Sequence, residues 1–145
     1  MTTALGSEQW AVIANIDPAN NGIGETFSTE WDMSLWSRVQ AVVQVGSMAS
    51  SATLDFKLQD ASSSGGSLSD VTGKAITQLT EAGSDDDKQA VINLRFDELN
   101  DDGRYCKALM TVAAGAVQSS AIILGLPRYY PASENDASTV DEIVS

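Results

Sequence analysis

From Ala52 to Gln59 the sequence reads Ala-Thr-Leu-Asp-Phe-Lys-Leu-Gln, apolar and polar in unbroken alternation. Successive side chains of an extended backbone point to opposite faces, so this pattern is a strand with one face in a core and one in water. A helix would bring Leu54 and Lys57 to one face. Arg38 to Val45 repeats the pattern, with Val39, Ala41, Val43 and Val45 inward, Arg38, Gln40 and Gln44 outward, and Val42 as the one apolar exception. Ile92, Leu94 and Phe96 alternate with Asn93 and Arg95. Cys106, Ala108, Met110 and Val112 alternate with Lys107 and Thr111, Leu109 being the exception.

Turn chemistry separates these runs. Asn100-Asp101-Asp102-Gly103 suits a tight connection, and Gly46, Gly65-Gly66, Gly73, Gly83 and Gly115 recur at strand-sized intervals. Trp10 to Ile16, Lys74 to Leu79 and Ser119 to Leu124 read as further strands, and residues 24–36 as containing another. Helix is confined to a turn or two near Ser34-Leu35-Trp36-Ser37 and at Asp97-Glu98-Leu99. About eight short strands predict an all-β sandwich or barrel. A chain of 145 residues fits one domain. We place the β domain at residues 1–126, with 1–9 as a segment free to extend, and read 61–68 (Ala-Ser-Ser-Ser-Gly-Gly-Ser-Leu) as a mobile loop. Past Leu126 the alternation stops, and residues 127–145 read as a C-terminal arm.

Composition then removes most chemistry. There is no histidine, so Ser-His-Asp and Cys-His catalysis and His-ligated zinc are excluded. One cysteine, Cys106, allows no intrachain disulfide and no thiolate cluster. Twenty acids against eight bases give a net charge of −12, which repels the phosphate backbone, so no nucleic-acid partner is expected. No apolar run approaches the ~20 residues of a membrane span, no membrane partner is expected, and Met1 to Leu5 lack the character of a signal peptide.

The remaining motifs have plain readings. Gly73-Lys74 lacks the P-loop spacing, since position 68 is leucine and 75 alanine, so Gly73 reads as a turn before a strand. Asp85-Asp86-Asp87, with Asp97, Glu98, Asp101 and Asp102, offers oxygen ligands without EF-hand spacing, and solvated loop acids are the commoner meaning. Paired carboxylates would permit glycoside hydrolysis, but most acids fall in turns. No cofactor is called for. Trp10, Trp31 and Trp36 suit either a sugar platform or a core and subunit contact. Tyr129 and Tyr130, between Pro127 and Pro131, suit either a partner surface or closure of the chain's own core. Cys106 reads as a small buried hydrophobe.

Three segments resemble a known family: Gly73-Lys74-Ala75-Ile76-Thr77-Gln78, Arg104 to Val112 (Arg-Tyr-Cys-Lys-Ala-Leu-Met-Thr-Val), and Leu124 to Ala132 (Leu-Gly-Leu-Pro-Arg-Tyr-Tyr-Pro-Ala). They look like small tailed-bacteriophage virion proteins encoded among head genes and associated with capsid decoration, the cement proteins. The similarity covers most of residues 25–132; residues 1–24 and 133–145 fall outside it. It implies a single jelly-roll-like antiparallel β-sandwich on the outer surface of an icosahedral head, bound to the major capsid protein and to itself as a homotrimer, made in the host cytoplasm. The expectation is therefore a non-enzymatic structural protein that bridges and stabilises capsid subunits. Trp10, Tyr129, Tyr130, Pro131, Val140, Ile143 and Val144 are its expected partner-contact residues. A head-fibre or tail adaptor and a carbohydrate-binding module are the alternatives.

Overall fold

The computed structural model describes residues 4–129, 132 and 136–144. Ten strands dominate it: β1 Ala11–Asn21, β2 Gly24–Phe27, β3 Trp31–Asp32, β4 Trp36–Met48, β5 Thr53–Ala61, β6 Ser69–Ala75, β7 Leu79–Thr80, β8 Gln89–Arg95, β9 Tyr105–Ala113 and β10 Val117–Pro127. Among the described residues the helical elements are one α-turn at Gly6–Gln9 and 3-10 turns at Met33–Leu35, Glu81–Gly83 and Phe96–Glu98. None of these is long and apolar enough to cross a membrane.

Two antiparallel sheets form a β-sandwich. The first has the order β1-β10-β4-β8; the second has β2-β9-β5-β6, with β3 also on β9 and β7 also on β5. The pairs are nested: β1 with β10, β2 and β3 with β9, β4 with β8, β5 with β6 and β7. One long antiparallel ribbon is thus bent at β5 to β6 and wrapped so that its two sides alternate between sheets, which is the jelly-roll arrangement. The expected sandwich class holds.

The core is the sum of the inward alternations. Leu54, Phe56 and Leu58 of β5 and Cys106, Ala108, Met110 and Val112 of β9 face Val39, Ala41, Val43 and Val45 of β4 and Ala121 and Ile123 of β10, all buried. Two close fits lock the ends of the sandwich. At Gly125, an added Cβ would lie 2.6 Å from Trp36 Cε3 and 3.1 Å from Ile13 Cδ1, so only glycine lets the indole lie flat on β10. At the other fit, buried Asp60 accepts both the backbone N–H and the side-chain amide of Asn100, each at 2.8 Å. That carboxylate ties the loop before β9 to the end of β5 and satisfies donors that would otherwise be unpaired.

Several local expectations need correction. Lys74 to Leu79 is not one strand: β6 ends at Ala75 and β7 begins at Leu79. Gly73 sits inside β6 with φ +74°, where Lys57 pairs Ala75 and Gln59 pairs Asp70. It is the pivot of a bulge rather than a turn before a strand, because only there can the extra residues leave the ladder. Residues Gly6–Gln9 are helical rather than extended, since Glu8 accepts the Leu5 N–H at 2.7 Å and the Trp10 N–H closes onto Gly6 O at 2.8 Å. The loop between β5 and β6 is tethered, with the Ser64 hydroxyl and Gly65 N–H both donating to Glu30, at 2.6 and 3.0 Å.

Candidate interaction face

The two sheets present opposite outer surfaces. On the β5 and β9 side, charge is abundant and internally matched: Lys57 pairs with Asp70 at 2.8 Å, Gln78 donates to Asp55 at 2.8 Å, and the Arg104 guanidinium grips Asp32 with two bonds of 2.9 and 2.8 Å. Those bonds, the Arg104 donors foremost, hold the Asp32 carboxyl down at about 2.

The outer surface of the β1-β10-β4-β8 sheet is different. Its side chains form rows across the strands, set by register. Val12, Leu124, Gln40 and Asn93 make one row. Asn15, Ile122, Val42 and Val91 make the next, with Ile122 and Val91 about half exposed, at 49% and 50%. Ser120, Gln44 and Gln89 follow. At the opposite end Arg38 and Arg95 stand directly across from each other beside Leu126. No aspartate or glutamate occurs in Val12–Asn15, Arg38–Gln44, Gln89–Arg95 or Ser120–Leu126, although the chain carries twenty. Asp17, within β1, accepts from the Asn15 amide at 2.6 Å and so stands on this face at its β1 edge, while Asp87 and Asp97 flank β8. An uncharged, apolar-centred patch with a charged rim is how interfaces are built.

The arginine end has further structure. Trp10, half-buried, lines a shallow depression of about 420 Å³ with Arg38, Gln40, Asn93 and Arg95, and the Gln40 amide donates to Asn93 Oδ1 at 3.3 Å. Two like charges directly opposite on adjacent strands repel. Arg95 is met by Asp97 at 3.2 Å and, more loosely, by Glu98 at 4.0 Å. Arg38 has no acidic partner among the described residues. Nearby, the Arg128 guanidinium lies 4.4 Å from the centre of the Phe96 ring and donates to Trp36 O at 3.3 Å, leaving Phe96 half exposed.

The expected contact residues are dispersed. Trp10 belongs to the face just described. Tyr129 is 78% exposed beyond the end of β10, while Tyr130 and Pro131 lie outside the described residues. The chain then returns: Ala132 is fully buried in the core, Asp136 accepts the Val12 N–H at 2.8 Å, and the Ala137 N–H donates to Val12 O at 2.7 Å. At those points the segment after β10 is docked on its own domain, capping the free edge of β1, rather than extended throughout. Val140 is half-buried and its N–H closes a turn onto Ala137 O at 2.9 Å, whereas Ile143 and Val144 are exposed.

The acidic loops serve the backbone. Asp85 accepts the Thr80 N–H at 2.9 Å and Asp86 the Met48 N–H at 2.7 Å, and no cluster with metal-holding geometry occurs among the described residues. Of the three indoles, Trp31 and Trp36 are buried and unavailable as a sugar platform. Burial pushes the Cys106 thiol up to about 12. Ile122 and Val91 were not singled out by sequence reasoning. Val42, the exception in an otherwise perfect alternation, was their signal: it lies between them in one row.

No protein-family model matches this sequence, and no curated protein does either. Among solved structures, a chain of infectious bursal disease virus, Gx strain, is similar at 13% identity and a TM-score of 0.41, covering 86% of this chain and 33% of that one. This chain therefore spans about a third of that relative's length. A chain of the cowpea mosaic virus empty virus-like particle matches at 9% identity and a TM-score of 0.39, covering 89% of this chain and 85% of that one. TmCBM61 in complex with β-1,4-galactotriose matches at 12% identity and a TM-score of 0.32, covering 86% and 97%.

Proposed function

We propose that this chain is a non-enzymatic structural component of a virion, a capsid decoration subunit that adheres to the outside of a phage head and bridges neighbouring major capsid proteins. The observation that carries this is the acid-poor outer face of the β1-β10-β4-β8 sheet, whose four strands hold one carboxylate, Asp17 at the β1 edge, in a molecule of net charge −12. Four strands by seven residues make a patch of about 19 by 20 Å, so roughly 400 Å². A standard interface uses about 800 Å² per partner. If about half the patch is apolar, its burial contributes about 5 kcal/mol, against association costs of about 4 kcal/mol or more. One face alone gives weak attachment. Repetition over a symmetric shell converts weak contacts into retention through effective concentration, which suits a cement protein. The absence of histidine and the resemblance to decoration proteins over residues 25–132 agree with a role in adhesion.

Mixing the purified protein with capsids that lack it tests the proposal. Saturable binding at a fixed ratio to the major capsid protein is expected; absent or non-saturating binding refutes it. Ile122→Glu puts a charge at the centre of the face and is expected to lower occupancy at least tenfold with the fold intact. Many copies per shell distinguish a cement subunit from a vertex adaptor. A glycan-binding role has one observation in its favour, Trp10 beside the Gln40 and Asn93 amides. A saturable change of tryptophan fluorescence on glycan titration, lost in Trp10→Ala, would establish it instead.

A further inference from the structure

The sheet face has an arginine at one end that lacks an acid partner and an aliphatic row at its centre, and the chain itself carries a segment of matching character. Residues 140–144 read Val-Asp-Glu-Ile-Val: two adjacent acids followed by two exposed aliphatics. Among the described residues, 141–144 form no hydrogen bond or ion pair with the rest of the chain. From the Arg38 row to the Val42 row is four residues of strand, about 13 Å. From Asp141 to Val144 is about 10 Å of extended backbone, and side-chain reach covers the difference. Laid along the face, Asp141 and Glu142 fall at Arg38 and Arg95 while Ile143 and Val144 fall at Ile122, Val42 and Val91.

A chain's own segment is badly placed to do this. Ala137 bonds to Val12 and Thr139 Oγ1 to Asn15 Oδ1 at 3.5 Å, so the backbone runs along β1 from the Val12 row to the Asn15 row, away from the arginines. Continuing inward from there, it would bring its acids to the aliphatic row first. A segment from another molecule has no such anchor and can run the other way. From this juxtaposition we infer that the outer face of the β1-β10-β4-β8 sheet receives residues 140–144 of a second copy of this chain, so that subunits link tail to face. The contact is heterologous, and it closes into a ring or continues as a chain according to the rotation between copies. It rests on the proposed function only in taking this face as adhesive.

The test is the solution mass of the full chain by analytical ultracentrifugation, across a concentration series at low and high salt. Wild type is expected to self-associate, more weakly as salt rises. Arg38→Glu is expected to weaken association about tenfold or more, and Asp141→Arg with Glu142→Arg to do the same. These three substitutions combined with Arg95→Glu, which reverses both sides of the contact, restore it to within about threefold of wild type. Arg38, Asp141 and Glu142 are exposed, so folding is preserved; circular dichroism and the melting temperature check this. Ile143→Asp, which leaves every arginine contact in place, is expected to weaken association as well. A monomer at every concentration overturns the inference. So does association indifferent to both reversals, as in direct face-to-face packing, and so does failure of the combined variant to recover. Capsid binding by a strictly monomeric protein would sink tail-to-face linkage while leaving the decoration role standing, and a self-associating protein that ignores capsids would do the reverse.

Discussion

Gly125→Ala is the sharpest probe of how the sandwich is closed. The added methyl would sit 2.6 Å from Trp36 Cε3, 2.7 Å from Cδ2 and 3.1 Å from Ile13 Cδ1, where ordinary carbon contacts begin near 3.4 Å. The indole would have to rise by nearly 1 Å, yet Trp36 is only 3% exposed and Ile13 confines the same space. Forced expansion of a packed core costs about 1–3 kcal/mol, and the rigid indole, with Ile13 also in contact, puts this site at the upper end. Replacing glycine within a strand returns about 0.5–1 kcal/mol of unfolded-state entropy. The net loss is about 2 kcal/mol, a fall of roughly 6–8 °C in melting temperature for a domain of this size. Urea and thermal unfolding followed by tryptophan fluorescence measure it. Trp36→Leu destabilises by leaving a cavity, but in that background Gly125→Ala should cost at least 1 kcal/mol less than alone, because the methyl then has room. A Gly125→Ala protein as stable as wild type, or additive effects in the double variant, would refute the packing account.

Other outcomes follow from the buried and paired groups. Asp60→Ala strands the Asn100 N–H and amide and should cost about 2–4 kcal/mol by urea denaturation, with protease sensitivity concentrated at residues 96–104. Asp32, held near 2 by Arg104 against an ordinary 3.8, contributes stability that is fully present above pH 4 and is lost as pH falls towards 2. The pair is partly solvated, so the loss is about 1 kcal/mol or less, and Arg104→Ala should flatten the urea midpoint over that window. For Cys106 the sign is opposite. A thiol raised from 9.0 to about 12 by burial leaves stability intact below pH 9 and erodes it above, as the unfolded chain ionises first. The native protein should leave a disulfide thiol reagent unreacted at pH 8 and react stoichiometrically in urea.

The strands were legible where one face is dry and the other wet, as along Leu54 to Leu58 and Val39 to Val45, because a one-residue slip there would expose the whole core set. β6 was not. Gly73 and Lys74 look like the start of a strand, but register is a property of the partner, and nothing local tells that Lys57 will meet Ala75. The C-terminal segment fails for a related reason: Asp136 and Ala137 find Val12 across more than a hundred residues, a contact that no window of sequence contains. The candidate face lies between these cases. Val42 was visible as an anomaly, and Leu109 was too, but Leu109 is buried while Val42 meets exposed neighbours. Only the strand order distinguishes an apolar residue covered by its own chain from one left uncovered.

The nested pairing sets when the outer face of the β1-β10-β4-β8 sheet comes into being. Its central strand, β10, is among the last stretches of the sequence, and it lies between β1, among the first, and β4. A nascent or misregistered polypeptide therefore has no such patch to display. Under the proposed function, stickiness would arrive only with correct closure of the whole ribbon, so recruitment would double as proofreading, with immature molecules passed over without any dedicated inspector.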